Sequence, residues 1–347
     1  MHIVFYISGH GFGHASRATE LVAELLHQRN DTRIVIRTSV RPSLFNRIRG
    51  PHVIVEPCDA DTGVVQIDSL RPDIEETARC AAVFFRGFDR RVADEAAYLR
   101  RCGATMVIGD VPPLAVAAAH RAGVPSVVVA NFTWDWIYAF YPEFERLAPG
   151  VIQTIADGYS HATLALRLPF PGGFDSMPGV IRDIPLIARR SGRDRAETRR
   201  LLGIEGTRLA VLASFGGYGV DLPYERVAQS GLMVLAPEVP PPALNYEDIV
   251  AAADVVVSKP GYGIVSECVA NGRPLLYTSR GRFAEYDVMV AEMPQMLRCR
   301  HITQEDLFAG RWRDGVEGLL AQEEPPERPR VDGAAIAARA IQQLIEA

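Results

Sequence analysis

Within ten residues near the start of the chain, Ser8 to Arg17 (SGHGFGHASR), there are three glycines, two histidines and an arginine. Glycines allow a backbone to approach a ligand closely, a histidine can take a proton, and an arginine can hold an anion. His14 falls where a helix would begin, and the dipole at that end favours the neutral, proton-accepting imidazole. Gly11, Gly13 and Arg17 are candidates for binding a phosphate or an acceptor. The second half carries two comparable turns, Ser214-Phe215-Gly216-Gly217-Tyr218-Gly219 and Ser258-Lys259-Pro260-Gly261-Tyr262-Gly263. Free backbone N–H groups after Gly261 would cradle a phosphate, and Lys259, the only lysine in the chain, would add a point charge. Glu267, one turn further on, would weaken phosphate binding but suits a pair of ribose hydroxyls.

Alternating short apolar runs and helical stretches must position these turns. IVFYIS reads as a buried strand. Ala15, Ala18, Leu21, Val22, Leu25 and Leu26 then recur at helical spacing. TRIVIRTS, HVIVEP, TMVIGD, PSVVVANF and HATLALRLPF continue the strands, and one long helical region is expected over about Pro72 to Arg101. The alternation is punctuated at PFPGGFDSMPG and restarts with RLAVLAS, GLMVLAPE, ADVVVS and RPLLYTS. This pattern predicts an α/β architecture of two Rossmann-like, doubly wound parallel-sheet domains with an interdomain cleft. The expected bounds are 1–183 for the acceptor domain, 184–330 for the donor domain, and 331–347 for a C-terminal helix packing back on the first domain.

The totals narrow the function. The chain has 347 residues, 48% of them hydrophobic, which suits two packed cores. A formal charge of −5 gives no global basic field for nucleic acid. Five scattered cysteines without CxxC spacing argue against a disulfide framework and a zinc site. No leader or membrane-length apolar run is legible, so a cytoplasmic protein is expected. The first turn lacks the third glycine of a dinucleotide fingerprint. The second strand ends in Arg37, Thr38 and Ser39 with no acidic residue, which argues against NAD.

These residues resemble a family. Two Rossmann-like domains, a G-x-G-H turn opening the first and a glycine loop with an S-E helix late in the second are similar to the GT-B glycosyltransferases. The likeness is to the group containing the N-acetylglucosaminyltransferase of peptidoglycan lipid synthesis. SKPGYGIVSECVANGRPLLY looks like that group's donor-binding stretch, which implies that Glu267 binds the donor ribose. Phe283-Ala284-Glu285-Tyr286 resembles its donor-sugar segment, with Ala284 and Glu285 in place of paired glutamines. A closer resemblance, over nearly the whole chain, is to the N-terminal, glycosyltransferase-like half of plant L-arabinokinase-type proteins. It is carried by GHGFGHASR, CDADTGVVQIDSL, GDVPPLA, NFTWDWIY, DGYSHA and GYGIVSE. GFGHASR also resembles the turn of the UDP-sugar hydrolase of pseudaminic acid synthesis, so the motif is shared by transfer and hydrolysis.

The resemblance implies a nucleotide-sugar donor, UDP-linked, as substrate, and a small-molecule or glycan acceptor. It implies no metal or other cofactor. The donor would bind Gly216, Gly217, Lys259, Gly261, Gly263, Glu267 and Glu285. His14 would serve as base in an inverting displacement, with Asp110 orienting it or binding acceptor hydroxyls. Trp134 and Asp135, in Asn131-Phe132-Thr133-Trp134-Asp135-Trp136, could stack on and hydrogen-bond an acceptor, or pack as a helix start. Asp59-Ala60-Asp61 has the DxD form of a metal motif, but the paired-domain pattern argues against that use. CAAVFFRGFDRRVADEAAYLRR could touch a membrane surface or pack as an amphipathic helix on the sheet. Hydrolysis of the donor and non-catalytic nucleotide-sugar binding are the alternative readings.

Overall fold

The computed structural model describes residues 1–216, 219–236 and 240–346, which divide into two compact units. The first unit comprises Met1–Val65, Asp73–Ile187 and Arg330–Ala347; the second comprises Gln66–Pro72 and Ala188–Pro329.

The first unit is built on a seven-stranded sheet. Its strands are β1 His2–Ile7, β2 Arg33–Thr38, β3 Val53–Pro57, β4 Met106–Asp110, β5 Ser126–Phe132, β6 Leu164–Gly172 and β7 Ile181–Asp183. They lie in the order β3-β2-β1-β4-β5-β6-β7, and every pairing is parallel. Ile3 to Ile7, Met106 to Asp110 and Val127 to Phe132 are buried, as strands covered on both faces must be. Five helices matter for the site: α1 Phe12–Gln28, α2 Ile74–Arg86, α3 Phe88–Cys102, α4 Pro113–Ala122 and α5 Trp134–Ala139. The order of the sheet reverses between β1 and β4, so their carboxyl ends open the crevice where ligands of such sheets bind.

Several sequence expectations need correction. The expected single helix over 72–101 is two, because the chain turns at Gly87 between α2 and α3. Phe84, Phe85 and Phe88 are buried there and pack ring against ring, in line with the reading of this segment as amphipathic and packed on the unit. Among the described residues no helix is long and apolar enough to cross a membrane. The punctuating stretch begins inside a strand, since β6 runs on through Pro169 to Gly172. The first unit ends at Ile187, four residues later than Asp183, because Leu186 N–H donates to Arg330 O and Ile187 bridges Asp332. The terminal helix, Gly333–Glu346, packs against α1, and Gln28 Nε2 donates to Ala335 O at 3.3 Å.

The second unit has a five-stranded parallel sheet in the order β12-β11-β10-β8-β9. Its strands are β8 Ala210–Ser214, β9 Met233–Leu235, β10 Val255–Ser258, β11 Leu275–Tyr277 and β12 Cys299–His301. Here the order reverses between β8 and β10, where Ser214 pairs with Ser258. One feature was not legible in the sequence: Gln66–Pro72, encoded within the first half of the chain, folds as part of this unit. Leu70 is 4% exposed in a core with Val211, Phe215, Leu222, Leu276 and Leu307.

Candidate functional site

β1 and β4 are neighbours in the sheet, with Ile7 opposite Asp110, so the turn after β1 and the last residue of β4 meet at the reversal. The turn needs Gly11, whose φ is 79°, and α1 starts immediately after it with no side-chain cap and no acidic residue in its first turn. Gly13 is the second residue of α1 and His14 the third. His14 is 6% exposed, and its Nδ1 lies 2.8 Å from Asp110 Oδ1. Asp110, 1% exposed, is gripped on both oxygens by Arg17: Nε donates to Oδ2 at 2.6 Å and an Nη to Oδ1 at 2.5 Å. The other Nη of Arg17 donates to buried Asn131 at 2.7 Å.

Burial works against ionisation of Asp110, but the charges and hydrogen bonds of Arg17 and His14 outweigh it and hold the carboxyl below its usual range. An ionised carboxylate only accepts hydrogen bonds, so the proton between His14 and Asp110 belongs to Nδ1. An Nη of Arg17 also lies 3.1 Å from the same Nδ1, and in a neutral ring with its proton on Nδ1 the lone pair is on Nε2. The arrangement can orient an imidazole, fix its tautomer and stabilise it once protonated.

Arg17 therefore takes a different task from the anion holding read in the sequence: its guanidinium braces Asp110 and Asn131. Trp134 takes the second of its two expected roles, packing at a helix start. It is 1% exposed, packs against Phe132 and Tyr138, and donates from Nε1 to Asp61 at 2.9 Å. Asp135 accepts from the Trp136 N–H at 3.0 Å and from the Ser176 hydroxyl, which makes it a local cap. His10 is held by its backbone surroundings, with the Val64 N–H 3.3 Å from its Nδ1.

Asp61 stands in the sequence as half of a DxD and, with Gly63, Gln66 and Asp68, as a residue that could face the cleft or cap a loop. Its two oxygens accept from Ser8 Oγ at 3.0 Å and Trp134 Nε1, and burial raises its pKa against those bonds and the attraction of His14. Among the described residues no three His, Cys, Asp or Glu side chains gather as a metal would require.

In the second unit the helix Tyr262–Ala270 starts beside the reversal point, after the N-cap Gly261 and with Gly263 in its first turn. It has no side-chain cap and no first-turn carboxylate, so its leading N–H groups suit an anion. Glu267 is 3% exposed and accepts from Arg189 through Nε at 2.7 Å and an Nη at 2.5 Å. Burial works against the charge of Arg189, yet Glu267 and Glu247 keep its pKa raised. Arg189 was missed by sequence reasoning: IARRSGRDR offers several arginines and no spacing that selects one. Tyr246 hydrogen-bonds Ser214 at 2.5 Å at the end of β8.

On the other side of the same loop stands Lys259. Burial, reinforced by Arg280 and opposed by Glu285 and Asp68, lowers its pKa to about 7. Arg280 stacks 3.4 Å over the Phe283 ring, and Glu285 is 8% exposed in the first turn of the helix Ala284–Glu292. Gly216, with φ of 77°, turns the chain after β8; Gly217 lies outside the described residues.

Comparison with known proteins bears on this architecture. No family model matches the chain. L-Arabinokinase of Arabidopsis thaliana is 32% identical over an alignment of 370 residues that takes in 99% of this chain. The chain spans about a third of that relative's length, 34%. The calicheamicin glycosyltransferase CalG4 superimposes with a TM-score of 0.60 at 15% identity, covering 99% of this chain and 97% of its own. Medicago truncatula UGT71G1, solved with UDP-glucose, gives 0.60 at 12% identity, again with 99% and 97% coverage. The fold is that of the GT-B glycosyltransferases.

Proposed function

We propose that the protein transfers a sugar from a UDP-linked donor to a hydroxyl acceptor, with inversion at the anomeric carbon and His14 as the base. The observation that carries this reading is the His14–Asp110 pair at the reversal of the first sheet, which sets Nδ1 of a buried imidazole against a carboxylate and leaves Nε2 as the ring nitrogen outside that pair. The GT-B fold and the UDP-glucose complex of a neighbour of that fold support the donor class.

In this mechanism the acceptor oxygen attacks C1 of the sugar as its O–H proton passes to His14 Nε2. The bond from C1 to the diphosphate oxygen breaks, and UDP leaves with the electron pair. Asp110, held ionised by Arg17, stabilises the imidazolium until the proton is lost to water. The N-terminus of the helix Tyr262–Ala270 and Lys259 take up the charge developing on the diphosphate, a task for which no metal is needed. Glu267, already oriented by Arg189, accepts from the ribose hydroxyls.

The experiment is UDP release from UDP-glucose, UDP-galactose and UDP-N-acetylglucosamine, each with and without a panel of saccharide and phenolic acceptors. The reading predicts release that depends on an acceptor, with a product of inverted anomeric configuration. Release at the same rate without acceptor identifies a hydrolase. Binding of all three donors without any release identifies a non-catalytic binder.

A further inference from the structure

The first unit holds a closed ring of buried hydrogen bonds around the rim that carries His14. Its members Asp61, Trp134 and Tyr159 come from CDADTG, NFTWDWIY and DGYSHA. Asp61, in the loop after β3, is the centre. Its Oδ1 accepts from Ser8 Oγ at 3.0 Å and its Oδ2 from Trp134 Nε1 at 2.9 Å. The Trp134 N–H donates to the Tyr159 hydroxyl at 3.3 Å, and that hydroxyl donates to Val111 O at 2.5 Å. Val111 follows Asp110, whose carbonyl accepts from the Ser8 N–H at 2.8 Å, and the ring closes. Ser8, Asp110, Trp134 and Tyr159 are each at most 1% exposed.

We propose that Asp61 is a positioning residue: it ties down the turn between β1 and α1 and so fixes where His14 stands for proton transfer. The proposal rests on His14 being the base, as given above, and adds the group that holds the turn carrying that base.

Three observations carry it. First, α1 does not hold its own start, since it has no side-chain cap and Gly11 at the N-cap offers none. Ser8 Oγ links the turn to Asp61 instead, accepting from the His10 N–H at 3.2 Å while it donates to Oδ1. Second, the loop that carries Asp61 is shaped to the turn. The Val64 N–H donates to His10 Nδ1 at 3.3 Å, and a Cβ on Gly63 would stand 2.6 Å from His10 Cβ, an approach that only glycine allows. Tyr138 fixes the loop in turn, donating to Gly63 O at 2.8 Å. Third, the side-chain type is dictated. The Ser8 O–H and the Trp134 indole N–H are buried donors that converge on one residue, and a carboxylate offers each an oxygen. Removing it leaves both donors unsatisfied. The DxD is thereby divided: Asp59 is exposed, and both oxygens of Asp61 are engaged within the unit.

The Asp61 carboxylate also acts on His14 by its charge, beside Asp110 and Arg17, so the test separates charge from tether. Wild type, Asp61→Ala, Asp61→Asn, Ser8→Ala and Asp61→Ala/Ser8→Ala are compared as the full chain. Two quantities are read: amide hydrogen exchange of peptides covering Ser8 to His14, and kcat beside the dissociation constant of UDP. Asp61→Ala should speed that exchange about tenfold or more and lower kcat about 10- to 100-fold, with UDP affinity held within about twofold, because a displacement of about 1 Å is worth that much in rate. Ser8→Ala should do the same on a smaller scale. The double variant should be no slower than Asp61→Ala, since the bond to Ser8 is already lost. Asp61→Asn should recover most of the protection and of kcat, because its oxygen can serve Trp134 and its amide N–H can donate to a turned Ser8 hydroxyl.

Wild-type exchange and kcat in Asp61→Ala overturn the proposal. So does a kcat in Asp61→Asn as low as in Asp61→Ala with the turn still protected, which marks the charge and not the tether. Additive losses in the double variant, or loss of UDP binding together with kcat, overturn it as well. If Asp61→Ala does not fold, Ser8→Ala, which removes one hydroxyl, decides. Absence of turnover by the wild type with every donor and acceptor overturns the transfer reading instead, and exchange alone then decides the tether.

Discussion

His14 Nδ1 and Asp110 Oδ1 stand 2.8 Å apart, and that pairing decides which face of the imidazole is left to do chemistry. Replacing Asp110 by Asn would set an amide N–H against Nδ1 and move the ring proton to Nε2, removing the base without removing the ring. Asp110→Asn should lower kcat by about a hundredfold or more and leave the dissociation constant of the UDP-sugar nearly unchanged. Steady-state kinetics checks the first part, and nitrogen NMR of the labelled imidazole checks the tautomer.

Arg17 and Asp110 form a buried ion pair, 3% and 1% exposed in their side chains. Arg17→Met leaves the carboxylate short of its main partner and should cost about 3–5 kcal/mol of stability at neutral pH, read by denaturant unfolding. The pH dependence has a definite sign. The folded-state pKa of Asp110 lies below its unfolded value, so the stabilisation is present above about pH 4 and fades as pH falls through the folded value. The gap between wild type and Arg17→Met should therefore narrow in acid.

Arg189 holds Glu267 through Oε1, and the proposed function gives this carboxylate the donor's ribose hydroxyls. Wild type should bind UDP more tightly than 2′-deoxy-UDP by about 1.5–3 kcal/mol, the worth of a hydrogen bond to a charged group. Glu267→Gln should shrink that difference. Titration of both nucleotides against both proteins measures it; equal affinities in the wild type would remove Glu267 from the ribose.

Lys259, with its pKa near 7, is largely neutral in the free protein at pH 8. A bound diphosphate favours the charged form, so UDP binding at pH 8 should take up a proton, seen as a buffer-dependent enthalpy that Lys259→Met abolishes. Stability follows the same logic. The unfolded lysine holds its proton to about pH 10, so between about pH 7 and 10 the unfolded state binds more protons and stability should rise with pH. Lys259→Met should lack that rise.

Leu70 ties the segment Gln66–Pro72 into the second unit's core. Leu70→Ala should cost about 2–5 kcal/mol of that unit's stability. Trp312, buried at 0% exposure in the same core, provides the fluorescence signal, with Trp134 and Trp136 replaced by Phe to isolate it.

The sequence revealed what depends on short-range pattern. Buried parallel strands are continuous apolar runs, and tight βα turns need glycine, so the two sheets, Gly11, Gly216 and the helix start at Gly261 were all legible. Asp110 was placed on the same rim as His14 because both follow a strand's carboxyl end. Partners brought together across the sheet were not legible. Nothing in IARRSGRDR marks Arg189 as the partner of Glu267, and nothing in QIDSLRP says that it leaves the first unit to fold with the second. The type of Arg17 suits a ligand group, and that of Trp134 suits either a ligand group or a packed helix start. The fold spends them on Asp110 and Asp61, since a buried carboxylate must first be satisfied by the protein around it.

The most direct measurement is kcat for sugar transfer by His14→Ala, taken beside the dissociation constant of the same UDP-sugar for the same protein. The account predicts a fall in kcat of about a hundredfold or more with donor affinity retained. Turnover at the wild-type rate in His14→Ala would contradict it, because no other group in this account takes the acceptor's proton.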